Sequence, residues 1–343
     1  MTRTNKLKAG ALGLAVLMWS INGPALAEEL NIYSSRHYQT DEALYEAFAK
    51  ETGITINRIE GKGDELIERI RNEGANSPAD LLITVDAGRL WRAEQAGLFQ
   101  PVRSQLLERR IPANFRHPEG LWFGFSSRAR LILYNKSAVK PDEITRYEDL
   151  ADPKWRDRIC VRSSSNIYNQ SLLGAMIAAH GEAGAEAWAA GVVANLARDP
   201  VGGDTDQIRG AAAGECDLAI ANSYYFVRLK TSEKQADREV AEALGVVFPN
   251  QADRGAHMNI SGAGVLKNAA HKEAAVRFLE YLASDSAQSY FADGNNEYPV
   301  AEGVAASDAL KALGEFKADQ VNVAVYGENQ PAAQMIFDRV GWK

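Results

Sequence analysis

The amino-acid sequence predicts an α/β protein of two lobes joined by two crossing strands. Three observations carry that expectation. Strand and helix patterns alternate in two separate runs of the chain, one before residue 121 and one after residue 157. Several strand segments, such as "ADLLITV" and "DLAIANS", are apolar on both faces, as in a parallel sheet covered by helices. Finally, "LWFGFSSRARLILYN" reads as two strands with no helix between them, and "MNISGAGVLKN" as a second such crossing that returns the chain to the first lobe.

The first 27 residues stand outside this fold. "MTRTNKLKAG ALGLAVLMWS INGPALA" has a basic start (Arg3, Lys6, Lys8), a short apolar run and the small residues Ala25 and Ala27. That is the pattern of a secretory signal peptide cleaved after Ala27. The apolar run falls short of the roughly 20 residues that span a bilayer, which argues against an uncleaved anchor. Removing the leader takes the chain from 343 to 316 residues and the formal net charge from −7 to −10. An acidic secreted protein is ill suited to nucleic acid or to anionic lipid. No second long apolar stretch follows, so the mature chain is expected to be soluble.

The first run comprises strand "LNIYSS", helix "DEALYEAFAKETG" stopped by Gly53, strand "ITINRIE", helix "DELIERIRNEG" with Asp64 as its cap, strand "ADLLITV" and helix "GRLWRAEQAGLF". The second comprises strand "RICVRS", helix "NQSLLGAMIAAHG", a helix around Trp188, helix "TDQIRGAAAGE" and strand "DLAIANS". The expected domain boundaries are 28–127 for the first part of the N-lobe, 128–258 for the C-lobe and 259–303 for the return segment. Residues 304–343 are expected to form helices packed mainly on the C-lobe. Such a chain closes like a hinge around a ligand held at the carboxyl ends of its strands.

The residues at those ends are distinctive. Arg36, His37 and Tyr38 follow "LNIYSS", Tyr168 follows "ICVRSSSNI", and Tyr224 and Tyr225 follow "LAIANS". Three strand-to-helix loops therefore bring four tyrosines and one histidine toward the cleft. Tyr33 and Tyr134 lie inside strands, and Tyr45 and Tyr281 inside helices, where they read as packing residues. Clustered phenols suit two tasks, stacking on an aromatic or sugar-like ligand and binding a hard, highly charged metal ion. A free phenol is neutral at pH 7, with a pKa of about 10, and only a strong Lewis acid displaces its proton. Ferric iron fits; zinc, calcium and copper favour other donors. The spacing leaves both tasks open.

Two cysteines, Cys160 and Cys216, each precede a strand and lie eight residues before Tyr168 and Tyr224. In an oxidising compartment they form either a disulfide or two buried thiols. "VGGDTDQI" lacks the lysine of a phosphate loop and reads as a turn and helix cap.

With these residues in view, the chain resembles the periplasmic ferric-iron-binding proteins of bacterial ABC importers, and within them the cyanobacterial Fut-type branch. The resemblance rests on "NIYSSRHYQTDEALYEAF", "GKGDELIERIRNEGANSPADLLITVDAGRLWRAEQAGLFQPV", "WFGFSSRARLILYN", "IANSYYFVRL", "SGAGVLKNA" and "NEYPV". It implies a two-lobed periplasmic binding protein of type II, with transferrin-like lobes and two crossing strands as hinge. It also implies Fe³⁺ as the transported ligand, with Fe²⁺ as the other oxidation state, an ABC permease as partner, a monomer, and no enzymatic activity. In the better-known branch a His, a Glu, two adjacent Tyr and an outside anion hold the iron. His37 matches that His, and Tyr224 and Tyr225 match the pair. The Glu position is taken by Val85, which cannot ligate, with Asp86 one residue out of place.

The resemblance therefore implies the set His37, Tyr38, Tyr168, Tyr224 and Tyr225, with no obligatory anion. Four phenolates on Fe³⁺ already leave a site charge of −1. Arg128 matches a family arginine near the cleft, and Arg36 is its other candidate supporting cation, though a surface position is the plainer reading for Arg36. The rivals are an anion or small-organic binder using "RSSSN" and helix N-termini, and a secreted hydrolase. The second lacks a G-x-S-x-G elbow or a Ser/His/Asp set.

Overall fold

A computed structural model describes residues 1–2, 28–36 and 40–343. Leader residues 3–27 and the segment 37–39, with His37 and Tyr38, lie outside the described residues. The chain opens with β1 (Glu29–Ser34), α1 (Asp41–Thr52), β2 (Thr55–Glu60), α2 (Gly63–Glu73), β3 (Leu81–Val85), α3 (Ala87–Gln95) and α4 (Gln105–Arg110). The long strand β4 (Phe123–Asn135) leads into β5 (Ile159–Cys160), α5 (Ile167–Ala194), α6 (Asp204–Ala213), β6 (Leu218–Asn222), α7 (Ser223–Lys230), α8 (Gln235–Glu242) and β7 (Leu244–Val247). Strand β8 (Met258–Val265), α9 (Lys272–Leu282), α10 (Asp285–Asn295) and β9 (Tyr298–Pro299) follow, then α11 (Asp308–Lys311), α12 (Ala324–Glu328) and α13 (Gln330–Val340).

The strands run in the order β2-β1-β3-β8-β4-β6-β5, with β7 and β9 also on β4. Parallel pairing survives at the two ends, β2-β1-β3 and β6-β5, and the crossing strands β4 and β8 are antiparallel to their neighbours. One half of β4 pairs with β8 and β9, the other with β6 and β7. The two strands expected over residues 121–135 are thus one. The polar run Ser126–Ser127–Arg128, which looks like a turn, is buried strand whose side chains find partners across the sheet. A register shift between Gly124 and Ser126 bends the strand there.

Each lobe has a core on both faces of its sheet. In the first, α1, α9 and α10 pack Leu44, Phe48, Phe278 and Phe291 on one face, and α2 and α3 pack Ile67 and Leu90 on the other. Gly264 of β8 is required where the chain passes the neighbouring loop, since a Cβ there would sit 2.5 Å from the Leu121 carbonyl oxygen. In the second lobe, α5 and α13 cover one face with Leu173, Trp188 and Phe337, while Ile208 and Phe226 cover the other. The tail serves both lobes. Val323, Ala324 and Tyr326 join the first lobe's core and Ala333, Ile336 and Phe337 the second's.

Helix α1 stops where expected, with Gly53 in the left-handed conformation at φ 74°. The expected helix over 169–181 and the one around Trp188 are the two arms of α5, parted at Gly181 with φ 69°. Asp64 is not the cap of α2. It lies in the first turn, behind Lys62, and pairs with Arg89 and Arg92. Among the described residues no helix is long and apolar enough to cross a membrane.

Cys160 and Cys216 form a disulfide, with Cα atoms 5.8 Å apart. Parallel pairing of β5 with β6 brings the two residues together, and each strand then runs on to its tyrosines. The bond closes a loop of sequence separation 56. Cys216→Ser, or reduction of the native protein, is expected to lower the unfolding free energy by about 2–4 kcal/mol in urea titrations. A thiol count on denatured, unreduced protein should give zero.

Candidate functional site

The tyrosines of the second lobe sit in the first turns of helices, not in loops. Asn222 immediately precedes α7, and Tyr224 and Tyr225 are the helix's second and third residues. Asn166 immediately precedes α5, and Tyr168 is that helix's second residue. Both helix starts follow neighbouring strands of one sheet, which brings the side chains together. The Tyr168 and Tyr224 hydroxyls are 3.3 Å apart, and the rings of Tyr224 and Tyr225 are 4.3 Å apart between centres. Tyr224 is buried, while Tyr168 and Tyr225 are half-buried and open on a cleft of about 420 Å³. The first lobe contributes Ser35, Val85 and the charged residues Lys62, Asp64, Glu65 and Arg89 to its opposite wall.

Positive charge surrounds the phenols. The guanidinium of Arg228 lies 5.1 Å and that of Arg128 5.8 Å from the Tyr224 ring centre. Arg162 and Arg130 lie 5.5 Å and 5.8 Å from that of Tyr168. Together with the helix N-termini they favour negative charge on the phenolic oxygens. Arg128 and Arg130, two apart in β4, share a face and are both 1% exposed. Asp204 serves two of these cations. It is fully buried at the start of α6, accepts from Arg130 at 2.8 Å and from the Asn222 N–H at 2.8 Å, and pairs with Arg162 at 3.4 Å. It thereby ties the middle of β4 to the ends of β5 and β6. Its place in "VGGDTDQI" agrees with a turn and cap, since Asp206 accepts from the Gly203 N–H.

Arg36 is not a surface residue. It is 5% exposed, with two nitrogens on Asp41 and a third on Glu297. Glu297 also accepts from Arg128 and Ser126. Burial pushes the Glu297 carboxyl up, but the Arg36 and Arg128 guanidiniums outweigh it and hold the group down at about 2. Asp86, beside the non-ligating Val85, is turned away from the tyrosines. Fully buried and at φ 81°, it caps α3 through the Gly88 N–H and accepts from Ser171 and Asn259. The described histidines are engaged elsewhere: His117 with Glu94, His180 with Glu148, His271 with Asp80, and His257 against the Tyr326 ring. Among the described residues no group of three or more His, Cys, Asp or Glu is placed to hold a metal ion.

The family of bacterial extracellular solute-binding proteins matches residues 76–318. This chain belongs to that family. The solute-binding protein is 56% identical over 321 residues to iron uptake protein A2 of Synechocystis sp., covering 93% of this chain and 91% of that one. It is 27% identical over 325 residues to the major ferric iron-binding protein of Neisseria meningitidis, covering 93% of this chain and 95% of that one. Among solved structures, the Trichodesmium protein IdiA (FutA) in complex with iron and citrate ligands matches it with a TM-score of 0.89 at 59% identity, over 92% of this chain and 100% of that one. The solute-binding protein shares with that structure the two-lobed architecture expected from sequence.

Burial pushes the Tyr168 phenol up to about 12, reinforced by the Tyr225 oxygen and opposed by Arg128 and the Tyr224 hydroxyl. Because the folded value lies above the unfolded one, the neutral phenol contributes stability below pH ~10. That contribution is lost as the pH rises through about 12. In the metal-free solute-binding protein, subtracting the ultraviolet titration of Tyr168→Phe from that of the wild type is expected to isolate this late ionisation.

Proposed function

We propose that this protein captures ferric iron outside the cytoplasm and delivers it to the permease of an ABC importer, without catalytic turnover. The observation that carries the reading is the convergence of Tyr168, Tyr224 and Tyr225 on one end of a cleft, inside a ring of guanidinium groups. Such a cluster offers hard oxygen donors and little else. A cation must expel the phenolic protons, that of Tyr168 held above its ordinary range, which a trivalent ion does far better than a divalent one. The names of the relatives, iron uptake protein and ferric iron-binding protein, point the same way.

In this reading Tyr168, Tyr224 and Tyr225 take the metal first, and His37 and Tyr38 of the other lobe complete the set as the lobes close. Arg128 supports the phenolates; Arg36 acts one step further out, through Glu297. Four phenolates with Fe³⁺ carry −1, so no anion is obligatory. The cleft of about 420 Å³ exceeds a bare ion, leaving room for water or a small chelator arriving with the metal. An anion-binding role is disfavoured because Arg128, Arg130 and Arg162, which an anion would need, already face Glu297 and Asp204. The protein acts as a monomer, exported by a leader that ends at Ala27.

Adding ferric citrate to the metal-free protein is expected to produce a red to purple phenolate band. Tyr224→Phe and Tyr225→Phe should each shift or abolish it, and an unchanged band in both would overturn the assignment. Because each bound phenol gives up a proton, iron affinity is expected to rise with pH. Titrating the loaded protein with acid should bleach the band, and an affinity independent of pH would contradict phenolate ligation.

A further inference from the structure

Glu297 lies outside the tyrosine cluster, yet it is fully buried and joins two arginines 92 positions apart in sequence. The chain reaches it by a sharp reversal. Helix α10 ends at Asn296 in the left-handed conformation, φ 57°, and β9 then pairs with Ser126 and Ser127 of β4. Gln288 fixes the reversal, donating to the carbonyls of Phe125 and Leu282 and accepting from the N–H groups of Val300 and Ala301. The Glu297 carboxylate is thus delivered against the middle of the crossing strand.

Its two oxygens face in different functional directions. Oε2 accepts from Arg36 at 2.9 Å and from Ser126 at 2.8 Å. Arg36 in turn grips Asp41 with two nitrogens, at 2.9 Å and 3.2 Å. Asn295 donates to the same Asp41 at 2.7 Å and meets the Thr40 hydroxyl. Residues 295–297 therefore hold Arg36 on one side, and Thr40 and Asp41 on the other, of the three positions 37–39. Oε1 accepts from Arg128, whose guanidinium faces the Tyr224 ring. Apolar packing would fill this space without removing the four charges of Arg36, Asp41, Glu297 and Arg128 from water, so the network points to a positional role.

We propose that Glu297 is a positioning residue of the iron site. One buried carboxylate sets Arg128, which faces Tyr224, relative to Arg36 and Asp41 of the first lobe, so that the two sides of the cleft share a single reference point. The inference rests on the iron reading above. Outer partners of this kind alter metal affinity by about 10–100-fold when removed.

The test is Glu297→Gln in the full mature chain, with three measurements: the visible phenolate band, the Fe³⁺ affinity by competition with citrate, and the thermal unfolding of the metal-free protein. The expected result is a shifted or weakened band and a loss of affinity of about 10–100-fold in protein that is folded before iron is added. A purely structural role would lower the unfolding temperature and leave the band and affinity of the folded protein unchanged, and that outcome overturns the proposal while the iron reading stands. If Glu297→Gln does not fold, Glu297→Asp, which keeps the charge and withdraws it by one methylene, is measured in the same way, with a wild-type band and affinity again counting against the proposal. A wild-type protein that stays colourless overturns the iron reading, and this inference with it.

Discussion

The structure depends on matching buried guanidinium groups with buried carboxylates. Strand β4 carries Arg128 and Arg130 through the middle of the molecule with almost no exposure. An unpaired charge there would be untenable, and each arginine has a partner delivered from another segment: Glu297 from the return segment and Asp204 from the start of α6. Those partners fix where the strand ends and helix starts lie, and the helix starts fix the tyrosines. The placement of the tyrosine cluster follows from charge neutralisation in the strand beneath it.

This arrangement accounts for the mixed character of the tyrosine cluster. Burial favours the neutral form of the Tyr168 phenol. The arginines and helix N-termini offset part of that preference without cancelling it. Zinc-type donors are not assembled at this end of the cleft, where the described wall residues offer oxygen and cationic nitrogen.

Much of the architecture was legible because buried parallel strands leave continuous apolar runs and because Gly53 and Gly181 break helices at readable points. The crossing strand was harder. Ser126, Ser127 and Arg128 have the composition of a turn, and only partners scores of residues away make them strand. The tyrosines were legible by their place after strands, although Asn166 and Asn222 were not recognised as helix starts, so first-turn residues were read as loop. Arg36 was read as exposed because Asp41 is near in sequence but Glu297 is not. Asp204 and Glu297 were missed as parts of the site. The signal available was Arg128 and Arg130 at strand spacing among apolar neighbours, a pattern that demands two carboxylates without saying which. Asp64 was read as a cap when its charge was committed to Arg89 and Arg92.

The insertion of β8 between β3 and β4 has a consequence for how the chain acquires its shape. Residues 29–85 supply β1, β2 and β3, but the edge of that sheet stays open until residues 258–265 arrive. The amino-terminal half is therefore not an autonomous unit of synthesis. Its completion waits on a segment made nearly two hundred residues later, and contacts of such long separation slow the search for the native topology.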